Sequence, residues 1–473
     1  MTEQPSQPTT QIGDPVEHPQ YGRGRVTALF RNGEEWMVQF ESGLRFRRPR
    51  TEFAGQQELI SLAPTMSIPM PDSLPMSRTQ FEARQLVEAL RVGVAPAQHI
   101  QELTIGLVEE RAILSAGITQ AHQGGGGVLA VLGDYGYGKS HIVELTAQDA
   151  LDRGFAVAAA SLDLLELPAH RAFDVYAALM HNLRYPDGDE RGLGVLLEKA
   201  RGNPRLHAEL RALAGVDDDP LAVALYALDN TSSSRQRRAW NNWISGGRKV
   251  KSMAKAAPKG VKFPSIYRVG QNARQIAYLL SGVSVLARLA GYSGLCLLID
   301  EAESYSLLAK YQQPKAAQFF SAVIYAAQQE RQSRISPDSF PQHRWRAYPL
   351  AYGDRQSLFF LFTVTRSDNR MPLESWLAPE QIIDLAPKHT PQEIGQFLQQ
   401  VMLYHGQAYG YEPGERQGQI RRGAAEHLAL GMRNDKLSIR GIVRLAVELY
   451  DLLYLHPEYD AATLLDELRG QMR

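Results

Sequence analysis

Gly133-Asp134-Tyr135-Gly136-Tyr137-Gly138-Lys139-Ser140 fits the spacing G-x-x-x-x-G-K-S/T at every position. Glycines in that order let backbone N–H groups wrap phosphates, a lysine reaches the outer phosphates, and a serine hydroxyl ligates Mg2+. A glycine-rich turn could match so short a pattern by accident, so the flanks decide. An apolar run, Val128 to Leu132, precedes it, and the residues from His141 to Ala150 have helical spacing. Strand, loop and helix in that order predict a nucleoside triphosphate site formed by residues 133 to 141, His141 included.

A second chemical motif lies far downstream. Leu297-Leu298-Ile299-Asp300-Glu301 is an apolar strand delivering two acids at its carboxyl end, where ligands of open α/β sheets collect. Asp300 is expected to hold Mg2+ together with Ser140, and Glu301 to orient or deprotonate the attacking water. Glu303 reads as a solvated neighbour. The next strand ends in Thr363-Val364-Thr365, and either threonine could sense the terminal phosphate, with Thr365 preferred. Arg440 and Arg444 stand one helical turn apart. A lid arginine reaching the phosphates, with Arg440 preferred, and a plain solvated helix face both account for them. Arginines able to act in trans (Arg331, Arg334, Arg344, Arg346, Arg355 and Arg366) are too numerous to separate.

These residues need a scaffold, and the apolar runs supply it. Strands are expected over 155–162, 295–299 and 358–364, besides the one before the phosphate loop, with helical sequence between them. Near-continuous apolar strands alternating with helices predict a parallel sheet covered on both faces. Lys139 and Asp300 are much further apart than the roughly 60 residues that two strand–helix–strand steps need, so roughly a hundred residues are inserted. No Asp or Glu occurs between Asp229 and Asp300, an interval that holds Arg248, Lys249, Lys251, Lys255 and Lys259 among its basic residues, with Trp240 and Trp243 nearby. Such a concentration fits contact with nucleic acid; a solvated basic helix paired with the acidic stretch from Asp187 to Asp219 would also explain it.

The organisation expected is a polar tail at 1–11, a small all-β module at 12–57, a linker at 58–79, the phosphate-loop domain at 80–388 and a helical lid at 389–473. The insertion, mostly helical and partly basic, covers 184–288. Short alternating strands around Asn32-Gly33, a hairpin signal, suggest an SH3-like or Tudor-like barrel. Residues 13–26 resemble the start of such modules in bacterial helicases and transcription-coupling proteins. The 473 residues carry no net charge and one cysteine, Cys296, which excludes an intramolecular disulfide or a cysteine zinc cluster. The first ten residues lack the pattern of a signal peptide, and Arg288 and several glycines interrupt the most apolar stretch, so a cytoplasmic protein without a membrane span is expected.

The core resembles the AAA+ ATPases, and most closely the BrxD-like ATP-binding proteins of bacterial BREX phage-defence systems. The resemblance rests on residues 89–96, the run Gly133 to His141, residues 291–303 and residues 382–387. Tyr137 departs from it, standing where a small residue is expected. The resemblance implies an α/β AAA+ core, ATP and Mg2+ as ligands, and ATP-dependent action on or regulation by DNA. It also implies partner proteins of a defence or DNA-processing system and a homo-oligomer. A nucleotide switch with slow hydrolysis is the alternative. A self-contained helicase lacks support, because the chain shows no second recA-like motif set.

Overall fold

The computed structural model describes residues 13–18, 22–30, 34–40, 45–49, 53, 76–94, 96–217, 219–247, 266, 273–328, 333–341, 348–367, 370–385, 389–434 and 436–472. They fall into two compact units, Met1–Met76 and Ser77–Arg473.

In the first unit, β1 (Pro15–His18), β2 (Gly22–Phe30), β3 (Glu35–Phe40) and β4 (Arg45–Pro49) form an antiparallel sheet in chain order. Trp36 and Val38, two positions apart on β3, turn to the same face and bury with Val26 and Phe53. Trp36 stacks on Phe53 with ring centroids 5.2 Å apart. The strand pairings run β1-β2-β3-β4, and among the described residues β4 does not pair back to β1. The Asn32-Gly33 turn and the 1–11 tail lie outside the described residues.

The second unit is built on a five-stranded parallel sheet. Its strands are β5 (Gly125–Gly133), β6 (Ala156–Ser161), β7 (Leu295–Asp300), β8 (Gln356–Thr365) and β9 (Ile382–Asp384), in the order β6-β7-β8-β5-β9. The short edge strand β9 is an addition to the four strands expected from sequence. Alternation along the strands divides the core. Leu129, Val131, Phe359 and Leu361 pack with α2 (Val108–His122) and α3 (Lys139–Asp152) on one face. Val128, Ala130, Phe360 and Phe362 join a larger core on the other face. All ten residues of β8 are buried, which fits the apolar run from Leu358 to Phe362 at its centre.

That larger core also holds the insertion. It contains α4 (Ala172–His181), α5 (Leu193–Ala200), α6 (Pro204–Ala214), α7 (Pro220–Asp229), α8 (Ser234–Ile244) and α9 (Ala273–Leu289). Trp240 and Trp243 of α8 are fully interior, their rings edge to face with centroids 5.5 Å apart. They are therefore packing residues and not stacking platforms interleaved with the basic side chains. Arg235 and Arg238 of α8 are exposed, whereas Arg274 donates to the Tyr348 and Pro337 carbonyls. Arg248, Lys249, Lys251, Lys255 and Lys259 lie outside the described residues.

Two short helices, α10 (Ser304–Leu307) and α12 (Leu373–Trp376), and the longer α11 (Gln313–Ala327) complete the sheet layer. A separate helical core follows. It joins α1 (Arg78–Arg91) to α13 (Pro391–Tyr409), α14 (Glu415–Arg433), α15 (Ile439–Leu455) and α16 (Ala461–Met472). Thr390 caps α13, with Glu393 reaching back to the Thr390 N–H in a capping box. Inside this bundle His405 is fully buried, its Nδ1 2.7 Å from the Tyr411 hydroxyl and its Nε2 3.0 Å from Asp451 Oδ1. Arg91 closes on the same carboxylate and donates to the Tyr409 hydroxyl at 3.1 Å. Among the described residues no helix is long and apolar enough to cross a membrane.

Candidate functional site

The sheet register gathers the chemical residues at one edge. Gly133 at the end of β5 pairs with Thr365 at the end of β8, and Ser161 at the end of β6 pairs with Asp300 at the end of β7. Parallel strands all finish on the same side, so residues far apart in sequence meet there. The loop from Gly133 to Gly138 turns directly into α3. Gly136 and Gly138 have φ of 84° and 91°, a region where a side chain is strained. Lys139, the first residue of α3, is buried, and its Nζ donates to the Gly133 carbonyl at 3.0 Å and the Asp134 carbonyl at 3.2 Å. The ammonium is thus held folded across its own loop. Ser140 is exposed beside it.

Opposite the loop, Asp300 is fixed by two donors. The Thr363 hydroxyl donates to its Oδ1, and the Glu301 N–H reaches the same oxygen at 3.0 Å. The Glu301 N–H also lies 3.2 Å from the Thr363 hydroxyl. This pinning accompanies an unusual backbone, since Glu301 has φ of 57° without being glycine. Burial raises the Glu301 carboxyl above its ordinary value, and the charges of Asp300 and Glu303 raise it further. A hydrogen bond with Ser161 and the charge of Lys139 partly oppose them. Glu303 is not the solvated neighbour expected from sequence. It accepts a hydrogen bond from Thr365 at one oxygen, and the other is buried without a partner among the described residues. Thr363 and Thr365 are both interior, so each hydroxyl serves an acid of the site.

A cavity of ≈ 200 Å³ joins these parts, lined by the loop residues Tyr135 to His141 and by Asp300, Glu301 and Glu303. Segments from both ends of the unit close it: the turns and loop holding Gly93, Val94, Ile100, Leu103, Ile105 and Leu107 on one side, and His389 with Ile439, Arg440 and Val443 of α15 on the other. Arg440 lines the cavity and Arg444 does not. The Arg440 guanidinium donates to the Tyr135 hydroxyl at 2.8 Å and sits over its ring. Its stem lies so close to Gly93 that a Cβ there would be 2.4 Å from Arg440 Cγ. Of the arginines considered for a role in trans, Arg366 pairs within its own chain with Asp384, 3.9 Å from Asp134, and Arg334 donates to the Glu374 carbonyl. Arg331, Arg344 and Arg346 lie outside the described residues.

Residues 79–201 match the family described as BREX system ATP-binding protein BrxC/D. The matched segment runs from α1 through α5 and includes the phosphate loop. The match ends inside the insertion expected at 184–288 and well before Asp300. No curated protein matches the chain.

The donor set suits Mg2+. Ser140 offers a hydroxyl and Asp300 a carboxylate, both hard oxygens, and Mg2+ completes its shell with phosphate and water instead of a protein cage. The apolar wall and Thr104, which meets His141, carry no sequence pattern of their own. They became visible only when the chain folded around the loop.

Proposed function

We propose that this chain binds ATP with Mg2+ in the cavity between the phosphate loop and the acids of β7, and hydrolyses it. The observation that carries the reading is the convergence of Lys139, Ser140, Asp300, Glu301 and Arg440 on one cavity. In this reading the N–H groups of residues 133–141 cradle the phosphates at the N-terminus of α3. Lys139 exchanges its loop carbonyls for phosphate oxygens, and Arg440 does the same from the lid after leaving Tyr135. Ser140 and Asp300 would hold Mg2+, which supplies charge neutralisation for the phosphates. Glu301 orients and deprotonates water, Thr363 keeps Asp300 and Glu301 in place, and Thr365 acts through Glu303.

The family match supports ATP binding within a BREX phage-defence system. Action on DNA belongs to the same proposal. It rests on the basic stretch that includes Arg248, Lys249, Lys251, Lys255 and Lys259, and the same reading takes other proteins of a defence or DNA-processing system as partners. The proposed organisation keeps an SH3/Tudor-like module at 12–57, an AAA+ core at 80–388 and a helical lid at 389–473, working as a homo-oligomer in the cytoplasm.

One observation favours the slow-switch reading. Glu301 is held in a left-handed backbone with its carboxylate engaged by Ser161, so in this conformation the base is restrained. ATP turnover with and without single- and double-stranded DNA separates the two, with Glu301→Gln as the inactive control. DNA-stimulated turnover supports the DNA-directed ATPase. Tight binding with negligible turnover that DNA leaves unchanged supports the switch.

A further inference from the structure

Thr104 settles the state of His141. Its hydroxyl lies 2.6 Å from the Ile100 carbonyl and 2.8 Å from His141 Nε2. A carbonyl only accepts, so the single hydroxyl hydrogen points to Ile100 and the Thr104 oxygen must accept from His141. Nε2 therefore carries the proton, and in the neutral ring Nδ1 presents a lone pair. Nδ1 has no hydrogen-bond partner among the described residues, and His141 lines the cavity.

The cavity that His141 lines has the composition of a slot for a flat ring. Leu103, Ile105, Leu107, Ile439 and Val443 line the same cavity, and the contact with Thr104 puts His141 beside the first of these walls. Phosphates fill the end near Lys139, so the base occupies the apolar remainder. We propose that His141 is the specificity-determining residue for the base, its Nδ1 accepting a hydrogen bond from the exocyclic 6-amino group of adenine, with Thr104 as the positioning residue that fixes the tautomer. This rests on the nucleotide reading above and goes beyond it by naming the base and the atom that reads it. A base with a keto oxygen at position 6 offers an acceptor to an acceptor, and loses the contact.

Inosine triphosphate differs from ATP in having that keto group, which makes it the probe. Equilibrium binding of both to the full chain is measured at pH 8, above the ordinary imidazole value. The wild type is expected to hold ATP about tenfold more tightly than inosine triphosphate. His141→Ala should weaken ATP about tenfold more than it weakens inosine triphosphate and so erase the preference. Thr104→Val should shift the ratio in the same direction by less, and it decides the matter if His141→Ala does not fold. An unchanged ratio in the variants, or equal loss of both nucleotides, overturns the assignment while leaving nucleotide binding intact. A wild-type protein that binds neither overturns the nucleotide reading itself.

Discussion

At Asp451 two carboxylate oxygens meet donors from Arg91 and His405, while at the carboxyl edge of the sheet three carboxylates share a few hydroxyls and one backbone N–H. The materials are alike: acids, hydroxyls and a cation on neighbouring elements. In the helical bundle they close on one another. Burial would raise Asp451, but the hydrogen bonds from His405 and Arg91 outweigh it and hold the carboxyl below its ordinary value. At the sheet edge the balance is reversed, since Glu301 is raised and Glu303 keeps a buried oxygen without a partner among the described residues. A satisfied network stabilises the fold on its own. An unsatisfied one needs cations or protons brought by something else, and that marks a site for ligands.

The contrast can be broken at several points, the largest effect coming from the base. Glu301→Gln should lower ATP turnover by about 10²–10⁴-fold while retaining nucleotide binding, measured by turnover and equilibrium binding on the same preparation. Normal turnover would sink the assignment of the base. Lys139→Ala should weaken nucleotide binding by about 10–100-fold, the loss of a charge-assisted contact, with no loss of fold stability. Asp451→Asn should do the opposite: turnover per folded molecule is retained and denaturation shows about 2 kcal/mol lost, a figure reduced by the partial exposure of Arg91.

The same residue gives a pH test with a definite sign. Asp451 has a folded value below its unfolded one, so its contribution is present above about pH 4 and fades as pH falls through the folded value. His405, Arg91, Tyr409 and Tyr411 face it, with Glu88 beyond Arg91. Asp451→Asn should remove that acid-side fall from the stability curve. The smallest effect is expected for Glu303→Gln, which relieves like charge: stability is unchanged or slightly higher, and a clear loss of stability would place Glu303 with the structural network instead.

Much of this site was legible along the chain. The phosphate loop has a fixed spacing because the backbone itself forms the cradle, and Asp300-Glu301 is announced by the apolar strand that carries it. Where side-chain partners decide, reading along the chain failed. Glu303 looked solvated because nothing in its neighbours shows Thr365 donating to it from the adjacent segment of sheet. Trp240 and Trp243 looked like part of a basic surface because the pattern that buries them spans α4 to α9. The edge strand β9 is only three residues long, too short for its own periodicity to stand out.

By itself, then, the sequence determined the local chemistry: a phosphate-binding turn, acids at a strand end, strands buried on both faces and a charge-segregated insertion. Those properties are encoded within short windows, where backbone conformation and periodic burial act directly. Only the tertiary structure decided which partners each group would meet. It brought Arg440 to Tyr135, Thr363 to Asp300 and Thr104 to His141, and it divided the acids into those already satisfied and those left in need of a ligand. Hydrogen bonding and desolvation depend on groups brought together through space, so that division arises only once the parallel strands end side by side and the segments from both ends of the unit close over them.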